Sequence, residues 1–310
     1  MNKDNVENGI QKAIKEVIAF FDLFDYPLSS AEVWRYCFLK CSQECIEKEL
    51  LQLEEVRSIE EKDGFYFLPR REGIIRTRKD RLEHSARKFR KAGFIVKIFK
   101  IIPWIKMAAV GNIIGKNNLK DESDIDLFII TEKNRIWLTR LFCNVVTKIL
   151  GLRPTEKDTR DKICLSFFIS EEDVNLEKLM LNDGLDIYFI YWMADLKLIY
   201  DKNGTWDKFQ KENSWINKYL PNLNIEKKMF KEYSFAWFLA NFKKAIHLTF
   251  DRLETAAGKF QMKILPERIK EKMNKGTEVV VGDKILKMHV NDRREEYKNK
   301  FKSLSNKPKL

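Results

Sequence analysis

Two aspartates stand two residues apart in an otherwise apolar segment, Asp124-Ile125-Asp126-Leu127. In a β-strand, residues two apart point to the same face, so both carboxylates are predicted to point together while Ile125 and Leu127 point into a core. Two carboxylates at that separation repel each other. A hard divalent cation such as Mg²⁺ relieves the repulsion by binding them together with the phosphates of a substrate. The pair therefore predicts metal-dependent chemistry on a phosphoryl group.

A glycine ends the strand that is predicted just before this segment. Residues 108–110 are apolar, Gly111 and Asn112 follow them, and the polar residues up to Lys120 predict a loop. Gly111 would let the backbone approach a triphosphate without interference from a Cβ atom, and the loop amides would donate to phosphate oxygens. The two strands and the loop together predict a small nucleotide site.

This pair of strands resembles the signature of the nucleotidyltransferase superfamily related to DNA polymerase beta. Its members usually carry serine after the glycine, where this chain has Asn112, whose amide is also a donor. The resemblance implies that Gly111, Asn112 and Ser123 bind an NTP, and that Asp124 and Asp126 are the catalytic residues that hold Mg²⁺ or Mn²⁺. It implies transfer of a nucleoside monophosphate from the NTP to a hydroxyl acceptor, whose identity the sequence leaves open.

The resemblance also implies a third carboxylate on a later strand, and the candidate strand, residues 162–169, contains no acid. Ser166 is the predicted equivalent position, with Cys164 beside it on the same face. Three interpretations stay open: the site uses one cation, an acid from elsewhere such as Asp161 completes it, or the chain binds nucleotides without turning them over. The last would make it a nucleotide-binding or nucleic-acid-linked regulatory protein.

The composition is that of a folded protein with an excess of basic residues. The chain has 310 residues, of which 44% are hydrophobic, enough for a sizeable core and about two domains. Lys and Arg number 58 against 46 Asp and Glu, a balance that suits a nucleotide, a nucleic acid or an acidic partner without choosing between them. No apolar run reaches the about twenty residues of a membrane span, so we expect a cytoplasmic protein with no membrane partner.

Residues 1–70 are predicted to form a winged helix, because three helical segments precede a hairpin signal. Ser29 and Ser30 are candidate caps of the second helix, and Ser42 is the candidate cap of the third. An Asp-Gly pair at 63–64 separates two short β-like runs. The third helix is rich in glutamate, whereas a helix that faces phosphates should be basic. A docking or regulatory role is therefore favoured over DNA reading.

A strongly basic helix is predicted between the hairpin and the first strand of the core. Its basic residues are Arg70, Arg71, Arg76, Arg78, Lys79, Arg81, Arg87, Lys88, Arg90, Lys91 and Lys97. One face carries apolar residues and is expected to pack on a sheet, and the cationic remainder is either a solvated surface or a place for nucleic acid.

The expected fold is α+β, with a nucleotidyltransferase-type mixed sheet and flanking helices. The nucleotidyltransferase core, including the basic helix, is assigned to residues 71–204, after the winged helix and before a C-terminal helical region in residues 205–310. Within that region, helices are predicted at 230–250 and 252–264.

The order of these elements also resembles a group of uncharacterised bacterial nucleotidyltransferase-domain proteins with an N-terminal winged helix. The similarity covers most of the chain and includes residues 201–206, 215–221 and 281–294. It implies no substrate beyond the nucleotide.

Three of the five cysteines, Cys37, Cys41 and Cys45, recur at four-residue spacing. On one helix face they would form a ligand set for a metal, but cysteine is also a common small buried residue. Free thiols are the favoured interpretation.

Overall fold

One mixed β-sheet organises the protein, and helices cover both of its faces. The computed structural model describes residues 3–111, 114–115, 117–181, 185–223 and 243–305. The helices are α1 (Lys3–Asp22), α2 (Ser30–Tyr36), α3 (Gln43–Glu55), α4 (Ile74–Phe99), α5 (Ile136–Ile149), α6 (Ile187–Ala194), α7 (Thr205–Glu212), α8 (Lys243–Ile264), α9 (Glu267–Lys272) and α10 (Arg294–Ser305). The strands are β1 (Glu60–Lys62), β2 (Phe65–Phe67), β3 (Ile105–Val110), β4 (Ile125–Thr131), β5 (Ile163–Ser170), β6 (Lys197–Asp201), β7 (Val279–Val281) and β8 (Ile285–Met288). The α+β class predicted from the sequence is therefore confirmed.

The six strands of the main sheet lie in the order β6-β3-β4-β5-β8-β7. β4 and β5 are parallel, with α5 between them along the chain, and every other neighbouring pair is antiparallel. β4 lies inside the sheet, which is why five of its seven residues are apolar and all but Asp126 are buried.

Most local signals in the first seventy residues are confirmed, although Ser30, the other candidate cap of the second helix, is the first residue of α2. Ser29 caps α2 in a capping box with Glu32, and the Ser42 side chain accepts a hydrogen bond from the amide of Cys45 at the start of α3. The turn between β1 and β2 has positive φ at both central residues, 56° at position 63 and 79° at position 64, as the Asp-Gly pair predicts. A single antiparallel bridge joins Leu28 to Tyr66.

Side chains alternate along β3 and β4, so the sheet has two separate apolar cores. Ala108, Val110 and Leu127 face a core that includes residues of α4, α5 and α8. Met107 and Phe128 face the other core, which contains residues of α1, α2, α3, α6 and α10. Because the first three helices share this core with the sheet, the boundary near residue 70 separates elements that are packed together. The domain boundaries themselves stay predictions.

The prediction of a helical region from residue 205 onward was wrong for β7 and β8, which form a hairpin at one edge of the sheet. β8 pairs with β5, where Phe168 lies opposite Leu286, and Gly282 stands at the turn between the two strands. The signal was the β-branched run 279–281, but a three-residue strand is stable only when another strand supplies hydrogen-bond partners, which a local pattern does not show. The helix predicted at 230–250 lies mostly outside the described residues, and the one predicted at 252–264 is the C-terminal part of α8.

Among the helices that the structure describes, we find none with the length and the apolar character needed to span a bilayer.

Candidate metal and nucleotide site

The two aspartates come together with a cysteine on the neighbouring strand. Asp124 directly precedes β4, Asp126 lies within it, and Asp126 is the register partner of Cys164 on β5. A carboxylate oxygen of each aspartate and the Cys164 sulfur all lie within 4.8 Å of one another. The three side chains are half-buried. Among the described residues, this is the one group of three acidic, thiol or imidazole side chains close enough to share an ion.

The three thiols near the N-terminus therefore form no such cluster. Cys37, Cys41 and Cys45 are free thiols, as are Cys143 and Cys164.

Burial and like charge dominate the electrostatics of the cluster. Burial raises the pKa of Asp124, although its own backbone amide, Lys88 and a hydrogen bond from Cys164 act in the opposite direction. Burial also raises the pKa of the Cys164 thiol well above its usual value, and the negative charges of Asp126 and Asp124 add to this. The thiol is therefore protonated at neutral pH, with both aspartates within its reach. A cation that bound here would displace that proton.

A serine and a histidine continue this hydrogen-bond chain away from the carboxylates. Ser166 Oγ is hydrogen-bonded to His289 Nε2 at 3.0 Å and lies beside the Cys164 thiol, whose pKa it acts to lower. Nδ1 of His289 is buried and has no hydrogen-bond partner among the described residues. Burial, reinforced by the charge of Lys287, lowers the pKa of His289 to about 4, so its ring is neutral at pH 7.

These groups line a cavity of about 470 Å³. Its apolar wall contains Phe167 and Trp192, whose rings stack with centroids 5.6 Å apart, and Phe189, which stacks on Trp192 at 5.5 Å. Lys287 and Arg293 contribute positive charge to the lining. The volume and the mixture of apolar walls with a few converging polar groups are those of a small-molecule site.

Of the three residues predicted to bind the nucleotide, only Gly111 is found in the lining of the cavity among the described residues. Gly111 lines the cavity, and its amide donates to the carbonyl of Asp126 at 2.9 Å. A Cβ atom built on Gly111 would lie 3.0 Å from the Trp192 ring, a tight contact that also favours glycine here. Asn112 lies outside the described residues. Ser123 is not among the lining residues, and its hydroxyl donates to the carbonyl of Lys120 at 3.0 Å.

A buried lysine fixes the backbone immediately before Asp124. Lys88 of α4 is fully buried, and its ammonium group donates to the carbonyls of Asp121 and Ser123 at 2.9 and 2.5 Å and to the carboxylate of Asp161 at 2.8 Å. Asp161 also accepts from Arg87 at 2.9 Å. Since Asp161 is held by these two cations and does not line the cavity, the described geometry gives no support for it as the third acid.

Several basic residues of α4 are engaged inside the protein in the same way. Arg78 forms a two-point ion pair with Glu32, at 2.7 and 3.0 Å, and Arg81 donates to Asn118 at 2.8 Å. Arg76, Arg90, Lys97 and other residues remain exposed. Part of the charge of the basic helix is therefore structural.

Three further lining residues, Lys287, Asp292 and Arg294, belong to a buried ion-pair network that the sequence did not reveal. Arg294, with 4% of its side chain exposed, donates to Asp186 at 2.9 Å and to Asp292 at 2.8 Å. Lys287 pairs with Asp292 at 3.1 Å and donates to the carbonyl of Thr277 at 2.6 Å. Burial, together with the charge of Arg294, lowers the pKa of Lys287 to about 8. A run of charged residues directly after an apolar strand was the available signal, and only the fold shows that it turns inward.

Comparisons of the chain with protein-family models, with curated proteins and with solved structures found no match. Function is therefore inferred from the chemistry of the cavity and from the resemblance carried by its two strands.

Proposed function

We propose that the protein is a metal-dependent nucleotidyltransferase, which transfers a nucleoside monophosphate from an NTP to a hydroxyl acceptor. The observation that supports this most is the placement of Asp124 and Asp126 together in the wall of a cavity that Gly111 also lines. β3 and β4 are antiparallel neighbours, so the glycine at the end of one strand lies beside the aspartates at the start of the other. This is the arrangement that the resemblance implies.

The chain supplies the parts that such a reaction needs. Asp124 and Asp126 would hold a divalent ion, Mg²⁺ or Mn²⁺ in the first instance, and Arg293 at the edge of the cavity adds positive charge near the phosphates. A bound cation would neutralise charge that develops on the transferred group. Phe167 and Trp192 exclude water from one side, which strengthens every electrostatic interaction in the cavity.

The proposal extends to the finer fold assignment. The bridge between Leu28 and Tyr66 adds a short third strand to the β1–β2 hairpin, which supports a winged helix in residues 1–70. The acidic surface of α3 favours a docking role for this unit over DNA reading. Any nucleic-acid binding by α4 would use exposed residues such as Arg76, Arg90 and Lys97, and would weaken steeply with salt.

The test is incubation with each labelled NTP in the presence of Mg²⁺ or Mn²⁺, followed by measurement of pyrophosphate and of labelled products. We expect release of pyrophosphate that is lost in Asp124→Asn/Asp126→Asn. Glu132→Gln is the matched control, because Glu132 follows the other end of β4, where it pairs with Lys106. Metal-dependent NTP affinity that is unchanged in the folded double variant would refute the site.

A nucleotide-binding regulator that does not turn the NTP over is the second candidate. It is favoured by one observation, that β5 offers Cys164 and Ser166 where the resemblance implies a carboxylate. In the same experiment, metal-dependent NTP binding without pyrophosphate for any tested acceptor would select this candidate.

A further inference from the structure

The third donor of the cluster is a thiol, and Mg²⁺ is a poor match for a thiol. Mg²⁺ requires near-octahedral oxygen ligands, whereas a cysteine sulfur selects borderline or soft ions such as Zn²⁺, Co²⁺ or Fe²⁺. The two carboxylates fit either class of ion. Cys164 is therefore the residue that decides which ion the cluster takes.

The positions of the three donors suit one shared ion. Ligand bonds of about 2.0–2.3 Å keep the donor atoms of one ion at most about 4.6 Å apart, slightly less than the 4.8 Å within which the donors of Asp124, Asp126 and Cys164 lie. Two of the three are register partners on adjacent parallel strands, Asp126 on β4 and Cys164 on β5. Small side-chain rotations bring all three to one ion.

An independent observation comes from the groups beside the sulfur. Ser166 lies beside the Cys164 sulfur and is hydrogen-bonded to His289, an arrangement like the outer hydrogen bonds that orient metal ligands. His289 lines the same cavity, and its buried Nδ1 has no hydrogen-bond partner among the described residues. A buried polar nitrogen without a partner is costly in a protein interior and is relieved by a ligand.

We infer that Asp124, Asp126 and Cys164 form a site for a thiol-binding transition metal, of the class of Zn²⁺ or Co²⁺, in preference to Mg²⁺. The thiol proton passes to solvent when the sulfur binds the ion, so charge and atoms balance. As a statement about the cofactor of a transferase, the inference rests on the proposed function, but the site itself does not.

The test is titration of the metal-free protein with Co²⁺ while the near-ultraviolet absorption is recorded, because Co²⁺ bound to a thiolate gives a charge-transfer band. We expect the band to saturate at one equivalent in the wild type and to be absent in Cys164→Ser. Cys45→Ser, which removes a half-buried thiol of α3, is the matched control and should keep the band. Zn²⁺ should displace Co²⁺, and Mg²⁺ at about 100-fold higher concentration should not.

A band that persists in Cys164→Ser, or Co²⁺ binding without any band, would overturn the inference. If Cys164→Ser does not fold, the wild type provides the answer: Zn²⁺ should protect Cys164 from a thiol-alkylating reagent, as read by peptide mass, and Mg²⁺ should not. Equal alkylation with and without Zn²⁺ would also overturn it. A Cys164-dependent band without NTP binding removes the proposed function and leaves this inference standing, and Mg²⁺-dependent NTP binding without a band does the reverse.

Discussion

The two walls of the cavity carry charged residues in opposite electrostatic states. On the β4–β5 wall, Asp124 and Asp126 lie beside a protonated thiol, so like charges are brought together. In the part of the lining that β8 and the residues after it contribute, the matched wall, Arg294 and Lys287 are matched by Asp186 and Asp292, so two cations face two anions in hydrogen-bonding geometry.

This difference separates a binding site from a structural network. Charges that are matched inside the protein gain little from a ligand, and breaking the match leaves an uncompensated buried charge. Charges of one sign held together raise the free energy of the folded state and lower it again when a cation arrives. Substitutions on the matched wall should therefore act mainly on stability, and substitutions on the β4–β5 wall mainly on ion binding.

The largest effect is expected from Arg294→Ala, which leaves Asp186 and Asp292 buried without their shared cation. We expect the free energy of unfolding to fall by about 3–5 kcal/mol, measured by chemical denaturation. Arg293→Ala is the control, because Arg293 is exposed and its ion pair is with Glu296 on the surface, so its cost should stay below about 1 kcal/mol. Equal costs for the two variants would break the distinction between the walls.

The sequence showed one wall of the cavity and not the other for a physical reason. Asp124 and Asp126 are two residues apart on one strand, so the period of a strand fixes their common direction, and Gly111 marks the end of the neighbouring strand. The helix caps at Ser29 and Ser42 were predictable for the same reason, because a helix cap depends on atoms within three residues. Such local features follow from the chain alone.

The matched wall depends on contacts between distant residues. Arg294 meets Asp186 across 108 positions of sequence, and His289 meets Ser166 across 123. The second contact joins β5 to the residue after β8 and therefore depends on the pairing of those two strands, which no local pattern specifies. The choice between Cys164 and Ser166 as the third donor position had the same origin, because it depended on the register of β5 against β4.

The second prediction concerns Lys88, a buried cation that holds the backbone next to the β4–β5 wall. Lys88→Met removes the donor to the carbonyls of Asp121 and Ser123, and leaves Asp161 with Arg87 alone. We expect a loss of about 3 kcal/mol in unfolding free energy from the unsatisfied buried groups. Divalent-ion affinity should fall as well, because Ser123 directly precedes Asp124.

Arg90→Met is the control for this variant, since it removes an exposed cation from the same helix. We expect its stability and its ion affinity to match those of the wild type. A Lys88→Met protein that loses stability but keeps wild-type ion affinity would show that Lys88 supports the fold and does not position the site.

The third prediction concerns a half-buried carboxylate, Asp195, that is matched mainly by hydrogen bonds. Asp195 accepts from the hydroxyl of Tyr36 at 2.5 Å and from the amide of Gly115 at 2.9 Å, with Arg35 and Glu32 nearby. Burial raises its pKa to about 6. Between about pH 4 and pH 6 the folded state holds a proton that the unfolded state has released, so this group makes stability fall as pH rises through that window.

The shift corresponds to at most about 3 kcal/mol. Asp195→Asn should remove this part of the pH dependence, measured as unfolding free energy at pH 4.5 and pH 7, and Asp207→Asn on the exposed surface of α7 should not. If Asp195→Asn keeps the wild-type dependence of unfolding free energy on pH, the hydrogen bonds from Tyr36 and Gly115 stabilise the ionised carboxylate as well as a cation would.

The fourth prediction is a gain in stability, opposite in sign to the loss expected for Arg294→Ala. Asp124→Asn/Asp126→Asn removes two like charges from the β4–β5 wall, so we expect the unfolding free energy of the metal-free protein to rise by about 1 kcal/mol. The stabilisation that a saturating divalent ion gives the wild type should disappear in this variant. A double variant that is as destabilised as Arg294→Ala would mean that the aspartates are structural, and the contrast between the two walls would fail.

The smallest effect is expected where the two walls meet, at the contact between Ser166 and His289. Ser166→Asp places a carboxylate in the cavity lining beside the Asp pair and within reach of His289 Nε2. The new anion should raise the pKa of His289 from about 4, which an NMR titration of the ring can follow. Because a hard oxygen ligand replaces a neutral hydroxyl, Mn²⁺ or Mg²⁺ affinity should rise several-fold.

Ser166→Asn is the control, since it adds similar volume without charge. Stability should change by less than about 1 kcal/mol, because Ser166 is only half-buried and faces the cavity. If Ser166→Asp loses several kcal/mol of unfolding free energy with no gain in ion affinity, the new anion is buried without a partner. The ion-binding part of the β4–β5 wall would then end at Cys164.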